Sequence, residues 1–258
     1  MPDRSITTIS AELDSLEGES LASFVALLQD DDRPGVRRAI GRALRRQYLR
    51  DRESERLITL ARAECELIDA GMLLVAGVDE VGRGALAGPV TACACVFDRD
   101  VHIPGINDSK RLSPVARERL AIEIRRFARG VAVAHVEPSE IDRVGIAAAT
   151  TTAMRRALAA LPEQPDHVIV DGLPVDLGYP ATAIVSGDAL TRAIGAASIV
   201  AKVTRDRLMA DLEALYPGYG LAENKGYGSS GHMDAIRHLG PSPVHRMSFA
   251  PCSNLSLF

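Results

Sequence analysis

The stretch LLVAGVDEVGRGALAGPV, residues 73–90, is the most informative part of this 258-residue chain. An apolar run of strand length delivers two adjacent carboxylates, Asp79 and Glu80, and three glycines and an arginine follow within eight residues. Carboxylates at the end of a buried strand are costly unless something compensates them, and a hard divalent cation is one such compensation. The glycines would let backbone N–H groups approach a phosphate or a sugar closely. The alternative is a tight turn that carries an acidic pair on the surface.

Two common phosphate-binding motifs are excluded at this position. A dinucleotide-binding fingerprint has its third glycine three residues after the second, whereas Gly88 follows Gly84 by four. A P-loop ends in Gly-Lys-Ser or Gly-Lys-Thr, and the chain contains neither.

Outward from this stretch, strands and helices alternate. Apolar runs predict strands at residues 73–78, 90–97, 131–136, 168–170 and 183–185, and helical spacing predicts helices at 115–129, 144–161 and 189–216. This order predicts one three-layer α/β domain over residues 73–258, whose tail from Pro241 is expected to wrap the surface. Residues 1–72 lack strand signals and are predicted to form a separate helical extension.

Composition restricts the class of protein. No run of eighteen apolar residues predicts a transmembrane helix, and the first residues lack a secretory signal. Four cysteines do not form a disulfide framework in a chain of this length. We therefore expect reduced thiols, no zinc site and a cytoplasmic protein without membrane association.

Charge is unevenly distributed along the chain. The net charge of −4 argues against a protein that coats itself in nucleic acid. However, residues 1–32 hold eight acids and one arginine, whereas residues 33–56 hold nine arginines and three acids. This pattern fits either a solvated helical hairpin of mixed charge or an arginine-rich helix that contacts a polyanion.

Two further aspartates occupy positions where chemistry often occurs. Asp171 ends the apolar run Val168–Val170, and Asp188 precedes the long predicted helix. The carboxylates of parallel neighbouring strands converge at one edge of a sheet, where α/β proteins bind ligands. The alternatives are an ordinary turn for Asp171 and a helix N-cap for Asp188.

Together these four carboxylates favour Mg²⁺ or Mn²⁺ over Zn²⁺, because no His or Cys stands at ligand spacing from them. Such sites usually act on phosphate esters. Several other positions fit a polyanionic substrate: the polar loop of Asn107 and Lys110, the cations Lys202, Arg205 and Arg207, and Tyr227 between two glycines. The alternatives are a solvated, salt-bridged helix face, in which Lys202 and Asp206 form an i,i+4 pair, and a tyrosine packed in a turn. The histidines are interpreted as structural or surface residues, except that His232, His238 and His245 could lie near a basic surface.

The motifs resemble, in order, those of the bacterial ribonuclease HII family over roughly residues 74–252. The matching segments are GVDEVGRG (77–84), NDSKRLS (107–113), EID (140–142), VDG (170–172), GDA (187–189), AASIVAKVTRDR (196–207), YPGY (216–219), KGYG (225–228) and GPSPVHR (240–246).

The resemblance implies a ribonuclease H-like fold with a central mixed sheet flanked by helices. It implies a metal-dependent endoribonuclease that cleaves the RNA strand of RNA–DNA hybrids and cuts 5′ of single ribonucleotides in duplex DNA, as in ribonucleotide excision repair. The implied chemistry is two-metal hydrolysis that leaves 3′-OH and 5′-phosphate ends. The implied partners are these two nucleic acids, and we expect a monomer, with protein partners left open.

The resemblance also implies roles for individual residues. Two divalent ions, Mg²⁺ or Mn²⁺, would be held by Asp79, Glu80, Asp171 and Asp188. Gly82, Arg83 and Gly84 would contact the 2′-hydroxyl and the junction phosphate, and Tyr227 would lie against the deoxy sugar. The backbone of the substrate would be bound by Asn107, Lys110, Ser198 and Lys202.

Two features depart from the minimal family pattern: the residue at position 186, and the helical extension at the start of the chain, which lies outside the minimal catalytic domain. Ser186 stands where the family commonly has lysine, which removes a cation beside Asp188. The arginines of residues 37–50 are expected to add nonspecific affinity for a duplex. Three alternatives stay open: a DNA nuclease of the same superfold, a binding module without turnover, and a phosphate-binding metabolic enzyme.

Overall fold

The computed structural model describes residues 4–255, which form two compact units, one ending at Ile58 and the other beginning at Thr59. The domain boundary that the sequence predicts after residue 72 concerns which segment folds independently, and it stays a prediction. Within residues 4–255, no helix is both long enough and apolar enough to cross a bilayer.

The N-terminal unit is helical, as the sequence predicts. It contains α1 (Ile6–Ser15), α2 (Gly18–Leu27) and the first part of α3 (Pro34–Asp69). Ser5 caps α1, since its hydroxyl accepts a hydrogen bond from the Thr8 N–H at 3.1 Å. The apolar faces enclose a core made of Ile9, Leu13, Leu21, Phe24, Leu28, Val36, Ala39 and Ala43.

The second unit is built on a five-stranded mixed sheet in the order β3-β2-β1-β4-β5. The strands are β1 (Val75–Val81), β2 (Val90–Val96), β3 (Gly130–Val136), β4 (His167–Asp171) and β5 (Ala181–Ile184). Strands β1, β4 and β5 are parallel, whereas β2 is antiparallel to both β1 and β3. The predicted mixed sheet is therefore confirmed, with β1 and β4 as parallel neighbours.

Helices cover both faces of this sheet: α4 (Pro114–Phe127) and α8 (Arg192–Leu215) lie on one face, and α6 (Ile146–Ala159) lies on the other. The unit also contains α5 (Pro138–Val144), α7 (Gly187–Leu190), α9 (Leu221–Asn224), α10 (Ser230–Leu239) and α11 (Cys252–Leu255). Side chains of β2 alternate: Cys93 and Cys95 pack with α4 and α8, and Ala92 and Ala94 pack with α6. This alternation confirms the predicted three layers.

Helix α8 is fixed against β1 by two features near its beginning. A Cβ atom at Gly77 would lie 2.4 Å from the Ala193 carbonyl carbon, so only glycine allows this approach. The buried Glu64 carboxylate accepts hydrogen bonds from Arg192 Nε at 2.9 Å and from the Ala193 N–H at 2.8 Å. An acceptor at this point satisfies a free N–H of the first turn of α8.

Three predicted boundaries were wrong. Strand β1 extends to Val81 because it pairs with β2 along its whole length, so Asp79 and Glu80 lie inside the strand. The helix predicted at 189–216 is divided at Thr191, whose extended backbone separates α7 from α8. The helix predicted at 144–161 is preceded by α5, which Gly145 ends with a positive φ of 79°.

Candidate active site

The sheet brings the two strand carboxylates together. Val78 of β1 is the register partner of Val170 of β4, so Asp79 and Asp171 follow at the same level on adjacent parallel strands. Neighbouring strands lie about 4.8 Å apart, and residues at equal positions share a face. The convergence that the sequence predicted is therefore confirmed, although Asp79 lies within its strand rather than at its end.

Asp79 lies in an environment that opposes its ionisation. Burial, followed by the charge of Glu80, raises the pKa of Asp79 from 3.8 to about 8, although a hydrogen bond with Ser198 acts in the other direction. The Asp79 Oδ1 atom also accepts a hydrogen bond from the Glu80 N–H at 2.8 Å. Burial likewise raises the pKa of Glu80, and the Arg83 guanidinium partly offsets that effect.

Asp188 approaches the same site from the short helix α7. The Gly187 N–H donates to Asp171 Oδ1 at 2.6 Å and so ties α7 to the end of β4. Burial, then the charge of Asp171, raises the pKa of Asp188, while Lys110 Nζ lies 3.8 Å from its Oδ2 atom. The N-cap interpretation of Asp188 was wrong, since the cap position belongs to Ser186, whose φ of 60° is left-handed.

One cavity of about 250 Å³ unites most of the predicted site residues. It is lined by Asp79, Glu80, Val81, Ser109, Lys110, Asp171, Ser198, Lys202 and Tyr227. Its lining does not include Asn107, whose Oδ1 accepts from the Asp108 N–H at 2.9 Å. Arg83 lines a neighbouring cavity instead, which it shares with Glu80 and Asp171.

The donors of this site suit a hard divalent cation, because they are carboxylates whose burial and mutual repulsion leave negative charge uncompensated. As the side chains stand, no three Asp, Glu, His or Cys residues within 4–255 lie close enough to share one ion. Two of the carboxylates contact cationic side chains instead: Arg83 Nη1 is 3.3 Å from Glu80 Oε1, and Lys110 Nζ is 3.8 Å from Asp188 Oδ2. Both cationic side chains are exposed.

Two buried arginines, Arg246 and Arg205, lie against the loop of Gly82, Arg83 and Gly84. Arg246 donates to the carbonyl oxygens of Gly82 at 2.7 Å, Arg83 at 2.8 Å and Gly88 at 2.9 Å. A Cβ atom at Gly82, where φ is +91°, would lie 2.2 Å from Arg205 Nε. Glycine is therefore required here both by conformation and by space.

Arg205 is the second of these two buried arginines, and the interpretation of it as a substrate-facing or solvated cation was wrong. It is buried and donates to the carbonyls of Pro89 at 2.9 Å, Ala87 at 3.1 Å and Lys225 at 2.8 Å. The expected pair of Lys202 and Asp206 is confirmed, with Nζ and Oδ1 2.7 Å apart.

Tyr227 stands at the cavity with its ring 38% exposed and the Arg205 guanidinium 5.7 Å from the ring centre. Its backbone carbonyl accepts a hydrogen bond from His232 Nδ1 at 3.0 Å. His232 Nε2 in turn lies 3.0 Å from His245 Nε2, and both rings are buried. The expectation of a basic surface at His232 and His245 was wrong, because burial lowers the pKa of His245 to about 4.

The described part of the C-terminal tail lies at the surface and is held by buried residues that the sequence did not indicate. His245, Arg246 and Cys252 are buried, whereas Pro243, Met247 and Ala250 are exposed; residues 256–258 of the predicted tail lie outside the described residues. The Asp142 carboxylate accepts hydrogen bonds from the N–H groups of Met247 and Ser248, both at 2.9 Å. Sequence reasoning missed this role because the contacts link residues more than a hundred positions apart.

Comparison with known proteins gives a consistent result. Residues 76–252 match the family described as Ribonuclease HII, and residues 5–67 match the Ribonuclease HII N-terminal domain. A ribonuclease HII from Desulfitobacterium hafniense is 45% identical over 92% of this chain and 91% of its own length. The ribonuclease H2 of Pyrococcus horikoshii has a similar structure, with a TM-score of 0.60 and 30% identity over 70% of this chain and 96% of that chain. A Bst-RNase HIII in complex with Mn²⁺ shares the fold at a TM-score of 0.55 and 22% identity, over 71% of this chain and 69% of that one. The chain belongs to the ribonuclease HII family, endoribonucleases that cleave the RNA strand of RNA–DNA hybrids.

Proposed function

We propose that this enzyme also cuts duplex DNA 5′ of a single embedded ribonucleotide, with divalent cations held by Asp79, Glu80, Asp171 and Asp188. The observation that supports the cation site is the junction of β1 and β4, where Asp79 and Asp171 line one cavity. Two bound ions, Mg²⁺ or Mn²⁺, would supply activation of the attacking water and stabilisation of the leaving 3′ oxygen, which leaves 3′-OH and 5′-phosphate ends.

The backbone around Gly82 is suited to recognising a 2′-hydroxyl. That hydroxyl is what distinguishes RNA from DNA at a given position. Arg246 donates to the carbonyls of Gly82 and Arg83, and Arg205 donates to the carbonyl of Pro89 further along, so both arginines restrict the path of this segment before substrate arrives. Gly82 and Gly84 add no side-chain bulk, and the exposed Arg83 side chain is available for the junction phosphate.

The other lining residues position the substrate strand. Tyr227 presents a ring fixed through its own backbone by His232 and is suited to pack on the deoxyribose. Lys110, with an exposed side chain, and Lys202 supply positive charge at the same cavity. Ser198 takes part by holding Asp79, since its hydroxyl contacts that carboxylate and lies 2.9 Å from Ser109 Oγ.

The test compares three labelled substrates: an RNA–DNA hybrid, a DNA duplex with one ribonucleotide, and its all-DNA twin. Each is incubated with Mg²⁺, Mn²⁺ or EDTA, and ligation assays identify the ends. We expect cleavage of the first two in either metal, only 5′ of the ribonucleotide in the second, and no cleavage in EDTA. Cleavage of the all-DNA twin would assign the chain to DNA nucleases of this fold, and cleavage of the hybrid alone would refute the proposed second substrate.

A further inference from the structure

The nine arginines of residues 33–56 divide into two groups in the N-terminal unit. Six of them hydrogen-bond to neighbouring side chains and so serve the unit itself. These pairs are Arg33–Asp31, Arg37–Asp32, Arg42–Ser10, Arg46–Asp14, Arg50–Glu17 and Arg56–Glu53. The expectation that the arginines of residues 37–50 contact a duplex therefore applies to fewer of them, because most of those guanidinium groups already have partners within the unit.

The other three, Arg38, Arg45 and Arg52, are exposed and have no acidic partner within residues 4–255. They recur every seven residues of α3, which places them on one face of the helix. Tyr48 lies on this face between Arg45 and Arg52, and the Arg52 guanidinium is 5.9 Å from its ring centre. We call Arg38, Arg45, Tyr48 and Arg52 the arginine stripe.

The geometry of the stripe suits a line of phosphates. With a rise of about 1.5 Å per residue, successive arginines are about 10 Å apart along α3, and the three span about 21 Å. Each guanidinium can bind a phosphate through two parallel hydrogen bonds, which an ammonium cannot do. Regular spacing of unpaired arginines on a rigid helix is unfavourable for the free protein and becomes favourable when an anionic backbone covers it.

We propose that the arginine stripe is a docking surface for the sugar–phosphate backbone of duplex nucleic acid. This inference rests on the proposed function, because the duplex that docks there is the substrate or its flanking DNA. The contact is independent of sequence and of the 2′-hydroxyl, since it involves phosphates only. Its effect is to raise the affinity of the full chain for any duplex without changing which bond is cut.

The experiment compares two triple variants of the full chain that lose the same charge. One is Arg38→Gln, Arg45→Gln and Arg52→Gln, and the matched control is Arg37→Gln, Arg46→Gln and Arg50→Gln, three arginines that each pair with an acid. The probe is a fluorescent all-DNA duplex, and anisotropy gives the dissociation constant from about 50 to 300 mM KCl, where phosphate contacts produce a linear dependence on log salt. Circular dichroism checks that each variant is folded.

We expect the stripe variant to reduce the slope of log affinity against log salt by about 2 to 3, that is about 0.9 per lost phosphate contact. The control should keep the wild-type slope. Replacing the same three arginines by lysine should retain most of the slope, which separates lost charge from misfolding.

Equal slopes for the stripe variant and the control would overturn the inference. A stripe variant that keeps the wild-type slope with DNA but loses binding to poly-glutamate would also overturn the inference, because the stripe would then bind an acidic protein. Failure of the proposed function is distinguishable: the wild type would bind the duplex with the expected slope but would not cut beside a single ribonucleotide.

Discussion

Asp79→Asn should make the metal-free enzyme more stable while it removes catalysis. The folded protein raises the pKa of Asp79 from 3.8 to about 8, mainly by burial. Between these values the folded state binds a proton that the unfolded state has released, so stability falls as the pH rises. Asparagine carries no charge, and its side-chain oxygen still accepts a hydrogen bond from the Glu80 N–H.

The magnitude follows from the same shift. Each pH unit above the unfolded pKa costs the wild type about 1.4 kcal/mol until the folded pKa is reached. Asp79→Asn should therefore be more stable than the wild type by at most about 4 kcal/mol at pH 7, and by almost nothing near pH 4.

Urea unfolding in EDTA, followed by circular dichroism from about pH 5 to pH 8, measures this difference. Asp176→Asn is the control, because the carboxylate of Asp176 is exposed beside Arg155 and its loss should change stability by less than about 0.5 kcal/mol at every pH. A stability difference between Asp79→Asn and the wild type that does not grow with pH would refute the reasoning.

Three further outcomes are expected. Arg246→Lys removes the guanidinium that donates to the buried carbonyls of Gly82, Arg83 and Gly88, so it should lower the free energy of unfolding by about 2–4 kcal/mol. Arg237→Lys, at the exposed pair with Asp234, should not lower it. Denaturant unfolding measures both variants. Glu64→Gln leaves the buried Arg192 charge without a counter-charge, so it should lower the free energy of unfolding by about 3–5 kcal/mol. Asp69→Asn, at the exposed pair with Arg99, should lower it by less than about 1 kcal/mol. Calorimetric titration with Mn²⁺ should show affinity rising with pH up to about 8, because the cation must displace the Asp79 proton; a flat profile would contradict this.

The sequence predicted the position of Asp79 and Asp171 in the sheet well because its signals are local. Apolar runs end at or near Asp79 and Asp171, and parallel pairing of their strands places both at one edge of the sheet. The register itself depends on pairing partners along β2 and β4, so β1 extends beyond its predicted end and includes both Asp79 and Glu80.

The supporting contacts could not be predicted in the same way. Arg246 reaches Gly82 across 164 positions, and a Pro- and Ser-rich tail gives no local sign of burial. The pairing of Arg46 and Arg50 with Asp14 and Glu17 likewise depends on how α1, α2 and α3 fold together. Periodicity places Arg38, Arg45 and Arg52 on one face but places Arg42 and Arg56 close to them, so only the contacts of the folded unit separate the paired arginines from the others.

The most direct test of the account is single-turnover cleavage, in Mn²⁺, of a DNA duplex with one ribonucleotide by the wild type and Asp171→Asn. Asp171 is chosen because its position beside Asp79, one residue past the Val78–Val170 pair of β1 and β4, is the basis of the proposed cation site. The account predicts that Asp171→Asn cuts at least about 10³-fold more slowly, while Asp176→Asn cuts at the wild-type rate. Cleavage by Asp171→Asn within about tenfold of the wild-type rate would contradict the assignment of these carboxylates as the catalytic centre.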